Sequence, residues 1–163
     1  MVDLIVRLKG VPDEIIPCNT ASGINGITAK DMAFAIFKYS DGIATIRSNM
    51  IDVGGLTRRH LVVNGEKGSI IIPRLECFEP SQNGYLYAQS ANTIQSSLPK
   101  FWEEGEKVKY DVFDRYQGML LAFASMIRGE RGPEVELETE ALVHRCLLAA
   151  GGMACDYKEK IKL

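Results

Sequence analysis

Three side chains of this sequence have a type and a setting that could serve chemistry: Asp3, Arg58 and His60. Asp3 interrupts the apolar opening stretch "MVDLIVRLKG", so it is either a carboxylate turned toward a site or the exposed side of a helix. The segment "TRRHL" is predicted as a strand on which Arg58 and His60 share one face. That pair suits contact with an anion or a polar substrate. The commoner interpretation of such a pair is a solvated or interface-facing side of a sheet.

The motifs that usually mark a catalytic centre are absent from the sequence. No G-x-G-x-x-G turn follows a predicted strand, and there is no Walker loop, G-x-S-x-G elbow or H-E-x-x-H pair. His144 and Cys146 are two residues apart on a predicted helix, so they face different ways. The four cysteines form no C-x-x-C pair, which argues against a metal site and favours thiols in a reducing cytoplasm. The chain alone therefore offers no convincing catalytic set.

The bulk composition indicates one domain with a packed core. The chain has 163 residues, of which 46% are hydrophobic and 25% are charged. Its formal net charge of −2 argues against broad electrostatic contact with nucleic acid or an anionic membrane. No apolar run approaches the ~18 residues of a membrane span, and the opening stretch lacks the features of a signal peptide. We expect a cytoplasmic protein whose residues 1–163 form a single domain.

The first half of the sequence predicts a helix followed by strands. A helix is predicted over residues 1–9 and ends at Gly10, and an edge strand follows in "EIIPCNTA". Further strands are predicted over 32–40, 43–51, 57–63 and 69–73, with tight turns at Asp41-Gly42 and at "NGEKG". Because short turns cannot join parallel strands, these four are expected to form one antiparallel meander.

Two predicted helices close the sequence, and the signals over 77–111 are weak. The first helix ends at Gly129, and the second runs from about Leu137 to Ala150. Because strands and helices are grouped separately, we predict an α+β fold rather than a doubly wound one. Its sheet is expected to be open and predominantly antiparallel, with helices packed on one face and the other face available for dimerisation.

The order of these segments resembles the C-terminal domain of the glucose–fructose oxidoreductase / inositol dehydrogenase (Gfo/Idh/MocA) family. "DMAFAIFKYSDGIATIRSNM" followed by "RRHLVVNGEKGSIII" is similar to that family's meander, which opens on an Asp that is Asp31 here. "LLAFASMIRGERGPEVELETEALVHRCLLAA" is similar to the family's last two helices, with its F-A-x-x-I-R-G run at Phe123 to Gly129. The similarity covers nearly all of the chain and is carried by the order and spacing of the motifs.

The resemblance implies a second half that this sequence does not contain. The family carries a G-x-H-x-x-D motif whose Asp matches Asp3, and its His, an acid/base, would fall one place before Met1. The family's Rossmann domain, which binds NAD(P) and carries a catalytic Lys, is likewise expected outside this sequence. The resemblance implies an NAD(P)-dependent oxidoreductase acting on a sugar, polyol or related hydroxyl/carbonyl compound.

Within such an enzyme, this chain would be the substrate-side and oligomerisation domain. The resemblance implies that it binds no cofactor itself, is inactive alone and forms a homodimer through the open sheet face. Its expected partners are the Rossmann domain and a small-molecule substrate, with no nucleic acid and no membrane. Asp3, Arg58 and His60 are the candidate substrate contacts, and no catalytic or metal-binding residue is assigned.

Two other hypotheses stay open. The chain could be a free-standing dimeric binding or scaffold module without catalysis, or an independent enzyme with a site in the weakly patterned region 77–111. An in-frame glycine-turn βαβ unit and a Lys-Pro pair upstream of Met1 would favour the oxidoreductase, whereas a stop codon there would favour the module. Turnover of hydrolase or isomerase substrates without a nicotinamide would favour the third hypothesis.

Overall fold

The computed structural model describes residues 1–66, 68–72, 77–80, 86–89, 93–96, 106–108 and 116–158. The helices and strands of these residues are, in chain order, α1 (Val2–Lys9), β1 (Glu14–Pro17), β2 (Met32–Tyr39), β3 (Gly42–Asn49), β4 (Leu61–Gly65), β5 (Gly68–Ile72), β6 (Cys77–Pro80), β7 (Leu86–Gln89), β8 (Thr93–Ser96), β9 (Glu106–Val108), α2 (Gln117–Ile127) and α3 (Leu137–Ala150). The chain divides into a first unit, Met1–Asp52 with Pro133–Leu163, and a second unit, Val53–Gly132. The fold is α+β, and its sheets are open and antiparallel, as predicted.

The first unit is built on a three-stranded antiparallel sheet in the order β1-β2-β3. β2 and β3 form a hairpin in which Tyr39 pairs with Gly42, so the turn residues are Ser40 and Asp41, one position earlier than predicted. The turn is held by Lys9 at the end of α1, whose Nζ lies 2.6 Å from Oδ1 of Asp41 and 5.2 Å from the Tyr39 ring centroid. β1 is an edge strand, which agrees with the presence of Pro17 at its end.

The core of the first unit lies between this sheet and two helices. Side chains alternate between the faces of β2, and its inner face carries Ala35 and Phe37, which are 2% and 0% exposed. Both helices pack on that face and contribute further buried residues, which are Val2 and Val6 of α1 and Cys146 and Ala150 of α3. In this unit, therefore, the helices cover one face of the sheet, as the sequence predicts.

Both C-terminal helices end where glycine permits it. Gly152 adopts φ 79°, and the amides of Gly152 and Met153 donate to the carbonyls of Ala149 and Leu148. This is a Schellman motif, in which a left-handed residue satisfies the last carbonyls of the helix. The Ala150 carbonyl accepts a bond of 2.8 Å from the Asn19 side chain, so the end of α3 is also tied to the loop after β1. Gly129, at φ 72°, ends α2 in the same way and confirms the predicted stop.

The second unit corrects one part of the predicted meander. The strands of its described residues form two sheets, β4-β5-β8-β9 and β6-β7, and neither pairs with β3. Residues 57–63 are not one strand, because Gly54 turns the chain at φ 70° into a short 3₁₀ helix, Gly55–Arg58. The strand begins only at Leu61. The hairpin between β4 and β5 is present, with Gly65 opposite Gly68.

A single carboxylate closes the long loop between β1 and β2. Asp31, which is 6% exposed, accepts bonds of 2.7 Å from both the backbone amide and the hydroxyl of Ser22. The loop between them contains three positions with positive φ, Gly23, Asn25 and Gly26, at 72°, 53° and 76°. These two hydrogen bonds, with the side-chain bond the larger cause, hold the pKa of Asp31 below its ordinary value of 3.8.

Asp31 is therefore expected to contribute an acid-sensitive part of the stability. Since its pKa is lowered by folding, the contribution is present above about pH 4 and is lost as the pH falls through the folded-state pKa. Asp31→Asn should lower the urea midpoint at pH 7 by a clear margin and by much less at pH 3. Asp156→Asn, whose carboxylate bonds only the nearby Lys158 amide, is the matched control and should change little at either pH. Equal losses at both pH values would contradict the assignment.

Candidate functional site

Asp3 lies in a small charged cluster at the surface of the first unit. Its Oδ1 accepts a bond of 2.6 Å from Nε of Arg7, and Nη2 of Arg7 lies 3.2 Å from Oε1 of Glu140. We call these three residues the Asp3 cluster. The Asp3 and Arg7 side chains are 44% and 40% exposed, so the cluster is open to solvent and to a ligand.

The local sequence explains the geometry of this cluster. Asp3 and Arg7 are four residues apart on α1, which places them on one helical face in the order that suits the helix dipole. Glu140 reaches the same guanidinium from α3, because both helices pack on one sheet face. Oδ2 of Asp3 has no hydrogen-bond donor among the described residues, so it can accept a bond from a ligand.

The other two predicted contacts lie in the second unit and are arranged differently from the prediction. Arg58 ends the 3₁₀ helix, and its Nη2 donates to the carbonyl of Val53. His60 follows, with Nδ1 at 3.1 Å from the Arg58 carbonyl oxygen. The prediction that they share a strand face is wrong, because neither residue is in a strand. The two are brought together by a local turn, whereas Asp3 belongs to the other unit.

Sequence reasoning missed two members of the Asp3 cluster. Arg7 carried a readable signal, because an acid and a base four residues apart on a helix are a recurrent ion pair. Glu140 carried none, since it is 133 positions from Arg7 in the sequence and only the packing of α3 on α1 brings it there.

The starts of α1 and α3 do not suit a dinucleotide phosphate. A pyrophosphate is usually held by the free amides at the start of a helix that follows a glycine turn. The first residue of α3 is Leu137, and its first turn carries the negative charges of Glu138 and Glu140. α1 carries Asp3 in the same position. Among the residues that the structure describes, no group of three side chains could hold a metal ion, and no helix could cross a membrane.

The thiols also bear out one prediction from the sequence. Cys146 is fully buried in the core, and burial raises the pKa of its thiol to about 11, whereas His144 is exposed. The two therefore face different ways on α3 and cannot act as a nucleophile and its base. Cys18, Cys146 and Cys155 are all free thiols.

The side of the sheet away from α1 and α3 is a second candidate surface, which we call the outer face. Its members, given by the strand register and alternation, are Glu14, Ile16, Met32, Phe34, Ile36, Lys38, Ile43, Thr45, Arg47 and Asn49. Phe34, Met32 and Ile43 are 36%, 38% and 70% exposed. A hollow of about 150 Å³ near Phe34 and Arg47 is smaller than the ~300–1,000 Å³ of typical small-molecule pockets. The outer face therefore suits contact with a protein surface better than with a small ligand.

Comparison with known proteins bears on this fold. No protein-family profile matches the chain, and no curated protein matches its sequence. A "putative oxidoreductase" of Klebsiella pneumoniae matches in structure at 18% identity and a TM-score of 0.61. The "putative oxidoreductase yvaA" of Bacillus subtilis matches at 17% identity and a TM-score of 0.66. Each match covers 99% of this chain, but the chain spans only 47% and 49% of their lengths, so it has the fold of about half of each protein.

Proposed function

We propose that this chain is the substrate-side and oligomerisation domain of an NAD(P)-dependent oxidoreductase, and that it is inactive alone. The observation that carries the proposal is that nearly the whole chain matches about half of each of two proteins described as oxidoreductases. The sequence motifs that resemble the glucose–fructose oxidoreductase / inositol dehydrogenase family agree with it. In this proposal the cofactor is bound by the other half of the parent protein, which is the family's Rossmann domain.

The Asp3 cluster would form one wall of the substrate cleft. Oδ2 of Asp3 would accept a hydrogen bond from a substrate hydroxyl or from the imidazole that the family places just before this chain. Arg7 would fix the direction of that carboxylate through its 2.6 Å bond to Oδ1. With Glu140 as a second carboxylate, the cluster is net negative. We therefore expect a neutral sugar, polyol or carbonyl compound rather than a phosphorylated one.

The outer face would serve as the surface through which two copies pair. An antiparallel sheet with one face covered by its own helices commonly leaves the other for solvent or a partner. A two-fold pair through one apolar sheet face is an ordinary isologous interface. A cytoplasmic location stays part of the proposal and agrees with the free thiols.

Titration with NADH and NADPH tests the cofactor part of the proposal. Because the starts of α1 and α3 carry negative charge, which does not suit a pyrophosphate, the fluorescence of either reduced cofactor should show no saturable change below the millimolar range. A complete dehydrogenase measured in parallel is the positive control. Saturable binding in the micromolar range would contradict the proposal.

The coding sequence upstream of Met1 tests the other part. An in-frame unit with a glycine turn and a Lys-Pro pair would support the oxidoreductase. A stop codon directly before Met1 would instead favour a free-standing binding module.

A further inference from the structure

Charged residues on the outer face are placed unevenly. Lys38 of β2 and Glu14 of β1 stand opposite each other and form a cross-strand ion pair of 2.7 Å. Arg47 of β3 stands opposite Phe34, and its side chain has no ion pair or hydrogen bond with any residue that the structure describes. The face thus presents one cation whose side chain has no partner among the described residues, and the Glu14 carboxylate lies at the opposite corner.

The strand register places Arg47 and Glu14 symmetrically about one residue. Ile36 lies on the central strand, where it is opposite Ile16 on one side and Thr45 on the other. Arg47 lies on the neighbouring strand β3, opposite Phe34, which is two residues before Ile36 on β2. Glu14 lies on the other neighbouring strand, β1, opposite Lys38, which is two residues after Ile36. With strands ~4.8 Å apart and ~6.8 Å between same-face positions, the two backbones are about 17 Å apart, with Ile36 at the midpoint.

We infer that the outer face binds a second copy of this chain about a two-fold axis over Ile36, with Arg47 of each copy paired to the partner's Glu14. This inference rests on the homodimer of the proposed function and specifies its register. A two-fold axis parallel to the sheet and at right angles to the line from Arg47 to Glu14 places each guanidinium over the partner's carboxylate. The contact then occurs twice, as an isologous interface requires.

This arrangement explains why the partner is a second copy. The unpaired cation and the carboxylate that complements it are both on the same face, so the face is its own electrostatic complement. Glu14 would then lie between Lys38 and the partner's Arg47, in a small network rather than an isolated surface pair. The strands of the two copies cross at about 70°, which is closer to the orthogonal packing of two sheets than to the aligned one. Ile36, half-buried in one copy, lies at the centre, where interface residues contribute most.

The size of the face indicates a weak interface. Three strands of up to eight residues span roughly 14 by 27 Å, or about 400 Å². That is half of the ~800 Å² per partner in a standard stable interface. We therefore expect a weak and concentration-dependent dimer, with a dissociation constant no lower than the micromolar range.

Charge reversal tests the register by sedimentation at concentrations up to about 1 mM. Arg47→Glu should raise the dissociation constant at least about tenfold, because two attractive contacts become repulsive. The double variant Glu14→Lys with Lys38→Glu keeps the cross-strand pair and the net charge, yet it should weaken the dimer similarly, since Lys would face Arg47. Combining all three substitutions should restore the dissociation constant to within about threefold of the unchanged chain. Lys158→Glu, with the same charge change as Arg47→Glu, is the control and should have little effect.

The outcomes separate this inference from the proposed function. If the chain dimerises but Arg47→Glu behaves like Lys158→Glu, or the triple variant gives no rescue, the register is wrong and dimerisation stands. If the chain stays monomeric to about 1 mM, both the inference and the homodimer are overturned. The oxidoreductase part is then still decided by the cofactor titration and the upstream sequence. Circular dichroism of each variant confirms that the fold is retained.

Discussion

Replacing Phe37 with alanine is expected to lower the free energy of unfolding by about 3–5 kcal/mol, the usual cost of removing a fully buried phenylalanine. Phe37 is 0% exposed and lies in the second half of β2, opposite Ile15 and Ala44. It packs in the same cluster as Val6 and Cys146, so its loss opens a cavity between the sheet and both helices. Since domains of this size are stable by only about 5–15 kcal/mol, this loss removes between about a fifth and all of that stability.

Phe34→Ala is the matched control for this substitution. It removes the same side chain three positions earlier on the same strand, but from the outer face, where Phe34 is 36% exposed. The loss should be well under half of that at Phe37, because less apolar area leaves water and no closed cavity is formed. Urea unfolding followed by circular dichroism measures both. A loss at Phe34 equal to that at Phe37 would mean that the two faces of the sheet are wrongly assigned.

A second large effect is expected in thiol labelling. At pH 8, Cys146 should react with a thiol reagent ~1000-fold or more slowly than Cys18, because the thiolate is the reactive form and buried groups react only after local opening. Burial raises the pKa of Cys146 from an ordinary 9.0 to about 11, which by itself lowers the thiolate fraction about 100-fold. Cys18 is exposed, and Cys155 is partly exposed.

Peptide mapping by mass spectrometry reads each cysteine separately in this experiment. The control is the same reaction in strong denaturant, where Cys146 should label as fast as Cys18. Labelling of native Cys146 at a rate comparable with that of Cys18 would show that α3 does not pack on the sheet as described.

The elements that were predicted correctly are those that depend on neighbours in the sequence. α1, the β2–β3 hairpin and the glycine stop of α2 each follow from residues a few positions apart. The predicted meander failed between its second and third strands, which are β3 and β4, because Gly54 adopts a left-handed conformation and turns the chain into a 3₁₀ helix. The presence of a glycine in the sequence does not reveal whether it interrupts a strand briefly or ends it.

In the candidate site, too, the features that depend on neighbours in the sequence could be predicted, and those that depend on tertiary contacts could not. The placement of Asp3 on a helical face, and its partner Arg7, follow from spacing alone. Glu140 enters only through tertiary packing, and the geometry of Arg58 and His60 depends on a backbone turn that alternation patterns do not encode. The periodicity of the sequence therefore does not predict which polar side chains distant in the chain come together.

The first unit takes its strands from the beginning of the chain and α3 from near its end. During synthesis on the ribosome, the hydrophobic side of β2 lacks the part of its cover that α3 supplies while the second unit is translated, because β3 ends at Asn49 and α3 begins only at Leu137. That interval exposes Phe37 and its neighbours to chaperones and to aggregation. The same topology makes Val53–Gly132 an insertion within the first unit. Circular permutation that brings α3 next to α1 should therefore shorten the time for which that side of β2 is incompletely covered.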